Sequence, residues 1–153
     1  GLACCSNHSE QKVDQAAGTV GYACPHYVNR GVVTEGSEVY SFGIVLLELL
    51  TASPPAYLAQ AADGSQQYQF LVTHLANDPR IAVSLADVKA QFPREVALEV
   101  AGLGLRCTEY TEELRPVFHD VVKALRVMKD ATEAPPAGTP PSPAPERWEQ
   151  QHQ

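Results

Sequence analysis

Four cysteines, Cys4, Cys5, Cys24 and Cys107, and five histidines, His8, His26, His74, His119 and His152, are the side chains of this chain best suited to hold a transition metal. Metal sites usually show Cys-x-x-Cys or His-x-x-x-His spacing. Neither spacing occurs, so no metal site is expected. Without a secretory leader, four cysteines in a chain of this size fit thiols in a reducing, cytoplasmic compartment better than a disulfide framework. The start Gly1-Leu2-Ala3-Cys4-Cys5-Ser6 comes close to an acylation signal, but that motif wants Ser or Thr where Cys5 stands, and the hydroxyl arrives only at Ser6. Near the other end, Pro140-Pro141-Ser142-Pro143 is a minimal Pro-x-x-Pro that would offer a polyproline helix to a partner with an aromatic groove. Thr139 and Ser142 each precede a proline and are candidate phosphoacceptors.

The composition is that of one globular domain: 153 residues, 44% hydrophobic, 19% charged, with a formal charge of -7. Eleven basic residues scattered among eighteen acidic ones do not make a nucleic-acid surface, which rewards clustered Lys and Arg. The longest strongly apolar run, Phe42 to Leu50, is half the length of a membrane span and contains Glu48, so no segment is expected to cross a bilayer. The sole methionine is Met128, so a chain beginning at Gly1 reads as processed or as an excerpt of a longer one.

The elements that would position these residues are mainly helical. Gly1 to Gly31 is rich in turn formers and reads as an irregular ordered loop. From Ser37 to Thr51 the polar Ser37, Ser41, Glu48 and Thr51 fall within an arc of about 80°, and the rest is largely apolar, as in a helix at the centre of a domain. Ser53-Pro54-Pro55 stops it. Gln66 to Ala76 reads as a shorter helix burying Tyr68, Phe70, Leu71 and Leu75, closed by Asn77-Asp78-Pro79. Pro93 opens a helix to about Cys107 with Val96, Val100, Leu103 and Cys107 on one face, and Gly102 and Gly104 suggest close packing. A last helix runs from Pro116 to about Lys129 and buries Val117, Val121, Val122, Leu125 and Met128. No strand pattern is evident. From Ala131 to Gln153, six of the twelve prolines and a single aromatic residue mark a disordered tail.

Four segments, in order, resemble the carboxyl-terminal lobe of a eukaryotic protein kinase of the receptor-like Ser/Thr branch. Gly1-Leu2-Ala3 looks like the end of the Asp-Phe-Gly-Leu-Ala stretch that opens the activation segment. Gly18-Thr19-Val20-Gly21-Tyr22-Ala23-Cys24-Pro25-His26 is similar to the Gly-Thr-x-x-Tyr-x-Ala-Pro-Glu that closes it. Glu38-Val39-Tyr40-Ser41-Phe42-Gly43 resembles the start of the family's central helix. Leu105-Arg106-Cys107-Thr108, followed by Leu114-Arg115-Pro116, resembles the signature before the final helix.

The resemblance implies a mostly α fold: a partial kinase domain over residues 1–130, with an activation segment at 1–26 and helices over 27–130, and the Pro-rich tail at 131–153. It implies a complete parent that transfers phosphate from ATP, with Mg, to Ser or Thr of protein substrates. The glycine-rich loop, the lysine-glutamate pair, the metal-binding Asp and Asn and the catalytic base fall outside this chain, so the chain alone is expected to be inert, with no catalytic residue and no cofactor of its own. Gly18, Thr19, Gly21 and Tyr22 would form the substrate-docking loop, with Thr19 favouring Ser/Thr over Tyr. Gly1, Pro25 and His26 would mark the ends of the activation segment, and Ser6 and Ser9 would be its candidate phosphosites.

Two departures matter. The family's glutamate after Ala-Pro pairs with the arginine matched by Arg115, but His26 occupies its place, and Glu112 or Glu113 would have to turn inward to replace it. Glu38 stands where the family has an aspartate that holds the catalytic loop. Both permit a second reading, in which the parent is a pseudokinase scaffold that binds proteins. The parent could be membrane-tethered through a segment upstream.

Overall fold

The computed structural model describes residues 10–13 and 18–133. Six helices are found there: α1 (Pro25–Arg30), α2 (Glu35–Thr51), α3 (Leu71–Leu75), α4 (Pro79–Ser84), α5 (Arg94–Cys107) and α6 (Phe118–Glu133). The mostly helical body expected from the sequence is therefore present. The central helix begins two residues before Ser37, because Thr34 and Ser37 cap it reciprocally: Ser37 N donates to Thr34 Oγ1 at 3.0 Å and Thr34 N donates to Ser37 Oγ at 3.0 Å. It ends where Ala52 turns left-handed and its N–H reaches Glu48 O at 2.8 Å, just before the two prolines.

Helix α2 supplies all three buried clusters, as a helix apolar on nearly every side must. Leu47 and Leu50 pack with Leu71, Leu75, Ala82, Ala97, Ala101 and Leu105. Val39 and Leu46 meet Leu103, Cys107 and Val121. Tyr40 and Ile44 meet Cys24 and Tyr27. The seam between α2 and α5 is closed through glycine. A Cβ on Gly43 would stand 2.6 Å from Cys107 Cβ, and one on Gly104 would stand 2.9 Å from Leu47 Cγ. Gly102, by contrast, has only an arginine tip at 3.6 Å, so of the two glycines expected to allow close packing only Gly104 does so. Inside this seam, burial pushes the Cys107 thiol up to about 11. Cys107 and Cys24 are both free thiols.

Several expectations are corrected. Four short strands exist among the described residues: β1 (Glu10–Lys12), β2 (Val32–Thr34), β3 (Ala56–Gln60) and β4 (Gln66–Phe70). β1 pairs antiparallel with β2, Gln11 opposite Val33, and β3 with β4, Leu58 opposite Tyr68. The stretch expected to be a helix from Gln66 to Ala76 is thus strand as far as Phe70 and helix only from Leu71. The cause is the turn before it: Gly64 sits at φ 83, and Asp63 Oδ1 accepts from Ser65 N at 2.9 Å, which folds 66–70 back on 56–60. Tyr68 and Phe70 are consequently exposed, while Leu71 and Leu75 are buried as expected.

The stretch read as an irregular loop contains β1 and α1, the latter built on Pro25 at its start and Gly31, at φ 65, at its end. Pro79 opens α4, which is capped by Asp78. On α5 the buried positions are Ala97, Ala101, Leu103, Gly104, Leu105 and Cys107, with Val96 and Val100 only half-buried, because the helix faces α2, α4 and α6. Helix α6 starts at Phe118. It buries Val121 and half-buries Leu125 and Met128, whereas Val117, which precedes the helix, and Val122, a quarter-turn away, are exposed. No helix among the described residues is long and apolar enough to cross a membrane.

Candidate functional site

Residues 18–26 lie along α2, and the polar arc of that helix holds them there. Tyr22 N closes a turn on Thr19 O at 3.1 Å. Ser41 Oγ donates to Tyr22 O at 2.9 Å, and Tyr22 OH donates to Glu48 Oε2. That hydrogen bond to a carboxylate is the main reason the Tyr22 phenol is raised above its ordinary value. Gly21 is required twice over: its φ is 95, and a Cβ there would lie 2.9 Å from Pro55. The loop is therefore seated on the start of β3. Gly18 and Thr19 are exposed at its tip. The structure thus brings Gly18, Thr19, Gly21 and Tyr22 together as one loop.

Behind this loop, against α1 and the start of α3, opens a cavity of about 660 Å³. Its apolar wall includes Val20, Ala23, Val28, Tyr40, Phe70 and Val72, and the threonines Thr19, Thr73 and Thr108 offer hydroxyls. No lining side chain is charged. The volume lies within the range typical of ligand pockets.

Arg115 anchors the back of the site. It is 7% exposed and lacks a carboxylate partner among the described residues. Its Nε donates to Glu109 O at 2.7 Å, Nη1 to Gly36 O at 2.9 Å and Cys24 Sγ at 3.1 Å, and Nη2 to Tyr110 O at 3.1 Å. The guanidinium also lies 5.1 Å from the Tyr40 ring centre. Burial pushes the Tyr40 phenol up, Cys24 adds to the rise, and the nearby Arg115 opposes it. The expectation that Glu112 or Glu113 would turn inward to Arg115 is not met. Glu112 instead accepts from Thr34 Oγ1 beside Gly36, and Glu113 is exposed. His26, in the place of the family's glutamate, shares an acceptor with the arginine, since its Nε2 is 2.9 Å from Tyr110 O. Backbone carbonyls thus do much of the work of the missing carboxylate. Sequence reasoning missed them because a carbonyl carries no residue signature.

Pro25 begins α1, and Glu38 lies exposed in the first turn of α2. Gly1, Ser6 and Ser9, the acylation-like start, and the Pro-x-x-Pro with Thr139 and Ser142 lie outside the described residues. Among the described residues no group of three His, Cys, Asp or Glu is placed to hold a metal ion.

Residues 1–125 match the family described as protein tyrosine and serine/threonine kinase. The chain is 34% identical to PTI1-like tyrosine-protein kinase 1 of Arabidopsis thaliana over 86% of its own length and 38% of the relative's. It is 34% identical to the probable serine/threonine-protein kinase PBL18 of the same plant, over 77% of its own length and 31% of the relative's. It is likewise 34% identical, over 77% and 26%, to the EPD1-interacting receptor-like cytoplasmic serine/threonine-protein kinase of Nicotiana benthamiana. The chain thus spans between about a quarter and two fifths of these relatives.

Proposed function

The chain belongs to the protein tyrosine and serine/threonine kinase family, and we propose that it forms the substrate-presenting part of a kinase that transfers the terminal phosphate of ATP to serine and threonine hydroxyls of proteins. The observation that carries this reading is the seating of the Gly18–Tyr22 loop, tied to α2 through Ser41 and Glu48 and to β3 through the bare Cα of Gly21. A rigid loop opening on an uncharged cavity holds a peptide where binding energy can be spent on positioning, which is most of what phosphoryl transfer asks of a protein. Exposed Thr19 at the loop tip is the residue proposed to favour Ser and Thr. Nucleotide and metal are proposed to bind in a part of the kinase outside this stretch, and this stretch alone is proposed to be inert. Residues 1–26 are the proposed activation segment, with Ser6 and Ser9 as its phosphosites, and the 131–153 tail is the proposed ligand for a Pro-motif partner. A cytoplasmic location is proposed by analogy with the receptor-like cytoplasmic kinase of Nicotiana benthamiana.

The relatives' names divide between tyrosine-protein kinase and serine/threonine-protein kinase, so acceptor specificity is the point to test. Full-length protein incubated with ATP, Mg and matched Ser, Thr and Tyr peptides is expected to label Ser and Thr only, and Thr19→Ala to lower that labelling. Labelling of Tyr would overturn the assignment of Thr19. His26 and Glu38 favour a second reading, a scaffold that binds proteins without phosphorylating them. Peptide binding without any transfer would establish it.

A further inference from the structure

The β3–β4 hairpin continues the docking surface beyond the cavity. Leu58 lies directly opposite Tyr68 and Ala56 opposite Phe70, so all four side chains share one face. Leu58 is 54% exposed, Tyr68 49% and Phe70 38%, and the two aromatic rings lie 6.3 Å apart. At its base this face meets the loop, for a Cβ on Gly21 would be 3.0 Å from Ala56 Cβ, and Phe70 is also part of the cavity wall. Phe70 therefore belongs to both the cavity wall and the hairpin face, and Tyr68 beside it carries that face outward. Across Ala56 to Phe70 the sole charge is Asp63, whose carboxylate is engaged by Ser65 at the turn.

We infer that this face selects the protein substrate, taking an uncharged, apolar flank of the peptide whose hydroxyl is phosphorylated. The inference rests on the kinase reading and specifies its substrate class. The occupant is argued from continuity with the docking loop and from charge. In a chain of formal charge -7, the loop, the cavity wall and the hairpin face carry no charged side chain, Asp63 being confined to the turn, and a charged peptide side chain brought onto that face would lose water without gaining a partner. Spacing sets the pattern. Leu58 lies two residues beyond Ala56, roughly 7 Å along the strand, and an extended peptide covers that distance in about two residues. The substrate therefore carries one apolar residue for the cavity and another about two positions further along.

The test uses full-length protein and fluorescein-labelled Ser peptide pools in which each flanking position is fixed as Leu, Phe or Asp. Two readouts are taken: binding by fluorescence polarisation, and phosphorylation with KM and kcat separated. Pools with two apolar residues at that spacing are expected to bind about ten-fold more tightly than their Asp counterparts, the scale of one buried leucine or phenylalanine. The pair Leu58→Lys and Tyr68→Lys should erase the preference at the outer position, leave that at the inner one, and raise KM with kcat unchanged. Equal binding of apolar and Asp pools, or an outer preference that survives both variants, overturns the inference. So does a wild-type dimer that the variants dissociate without altering peptide selection, which would assign the face to a second copy. Discrimination in binding without any phosphorylation would instead defeat the kinase reading and leave the docking face standing.

Discussion

The α2–α5 seam and the docking face are built from similar materials, apolar side chains with a glycine at each point of close approach, yet they do opposite things with them. In the seam, Gly43 and Gly104 let two helices approach until Leu47, Leu103 and Cys107 are almost wholly removed from water. On the docking face, Gly21 lets a loop settle on Pro55, but Leu58, Tyr68 and Phe70 beyond it stay in contact with solvent. The first arrangement converts apolar area into stability at once. The second keeps that area unspent, which is what a surface that must bind something requires. Glycine alone therefore does not tell a core from a site; the difference lies in whether the neighbouring apolar groups find partners within the fold.

The seam should break first and most severely. Gly43→Ala places a methyl 2.6 Å from Cys107 Cβ and 2.9 Å from Gly104 O, and neither is the mobile end of a side chain. The helices must separate, and the expected loss is about 3 kcal/mol, at the upper end for overpacked cores. Chemical denaturation of the full-length protein measures it; a loss below about 0.5 kcal/mol, the range of ordinary surface changes, would show that the seam is looser than its geometry.

Arg115 belongs to neither region but ties the start of α2 and Cys24 to the segment that follows α5, so its removal sharpens the comparison from the other side. Arg115→Met keeps the bulk but leaves the carbonyls of Gly36, Glu109 and Tyr110 without this donor. We expect a loss of about 2–3 kcal/mol, since hydrogen bonds from a charged group are worth more than neutral ones. His26→Glu is the converse change. A carboxylate in place of the imidazole that reaches Tyr110 O would meet the guanidinium bonded to the same oxygen, and a gain of about 1 kcal/mol is expected. An unchanged melting temperature would show that the carbonyls already satisfy Arg115 in full.

How far each region could be read from the sequence follows the same division. Helix α2 was legible because nine large apolar residues and a coherent polar arc leave it one place to go, and the arc is the surface that holds the Gly18–Tyr22 loop. Helix α5 was legible by period, although its buried face had to be corrected toward Ala97 and Ala101, because it packs on α2, α4 and α6 at once. The hairpin was misread. Tyr68, Leu71 and Leu75 are spaced as well for a helix as Gln66, Tyr68 and Phe70 are for a strand, and periodicity cannot choose between them over so short a stretch. Asp63-Gly64-Ser65 was the deciding signal, a turn that reverses the chain in five residues. In the site, the resemblance pointed to the Gly18–Tyr22 stretch, but it could not reveal the cavity, whose walls come from residues as far apart in sequence as Gly18 and Tyr110.

The smallest expected effect tests the comparison most directly. Leu47 and Leu58 are the same residue type, one fully buried and the other 54% exposed. Leu47→Ala should cost about 2–5 kcal/mol, as truncations inside packed cores do. Leu58→Lys should change stability by no more than about 0.5 kcal/mol, because the lysine stem can lie along the strand while its charge stays in water. If Leu58→Lys instead destabilised the protein by as much as Leu47→Ala, the hairpin face would be buried against some other part of the full-length protein. Its apolar area would then already be spent on folding and unavailable to a substrate. A neutral Leu58→Lys combined with lost peptide selection can arise only if the area is free in the unbound protein and covered in the complex.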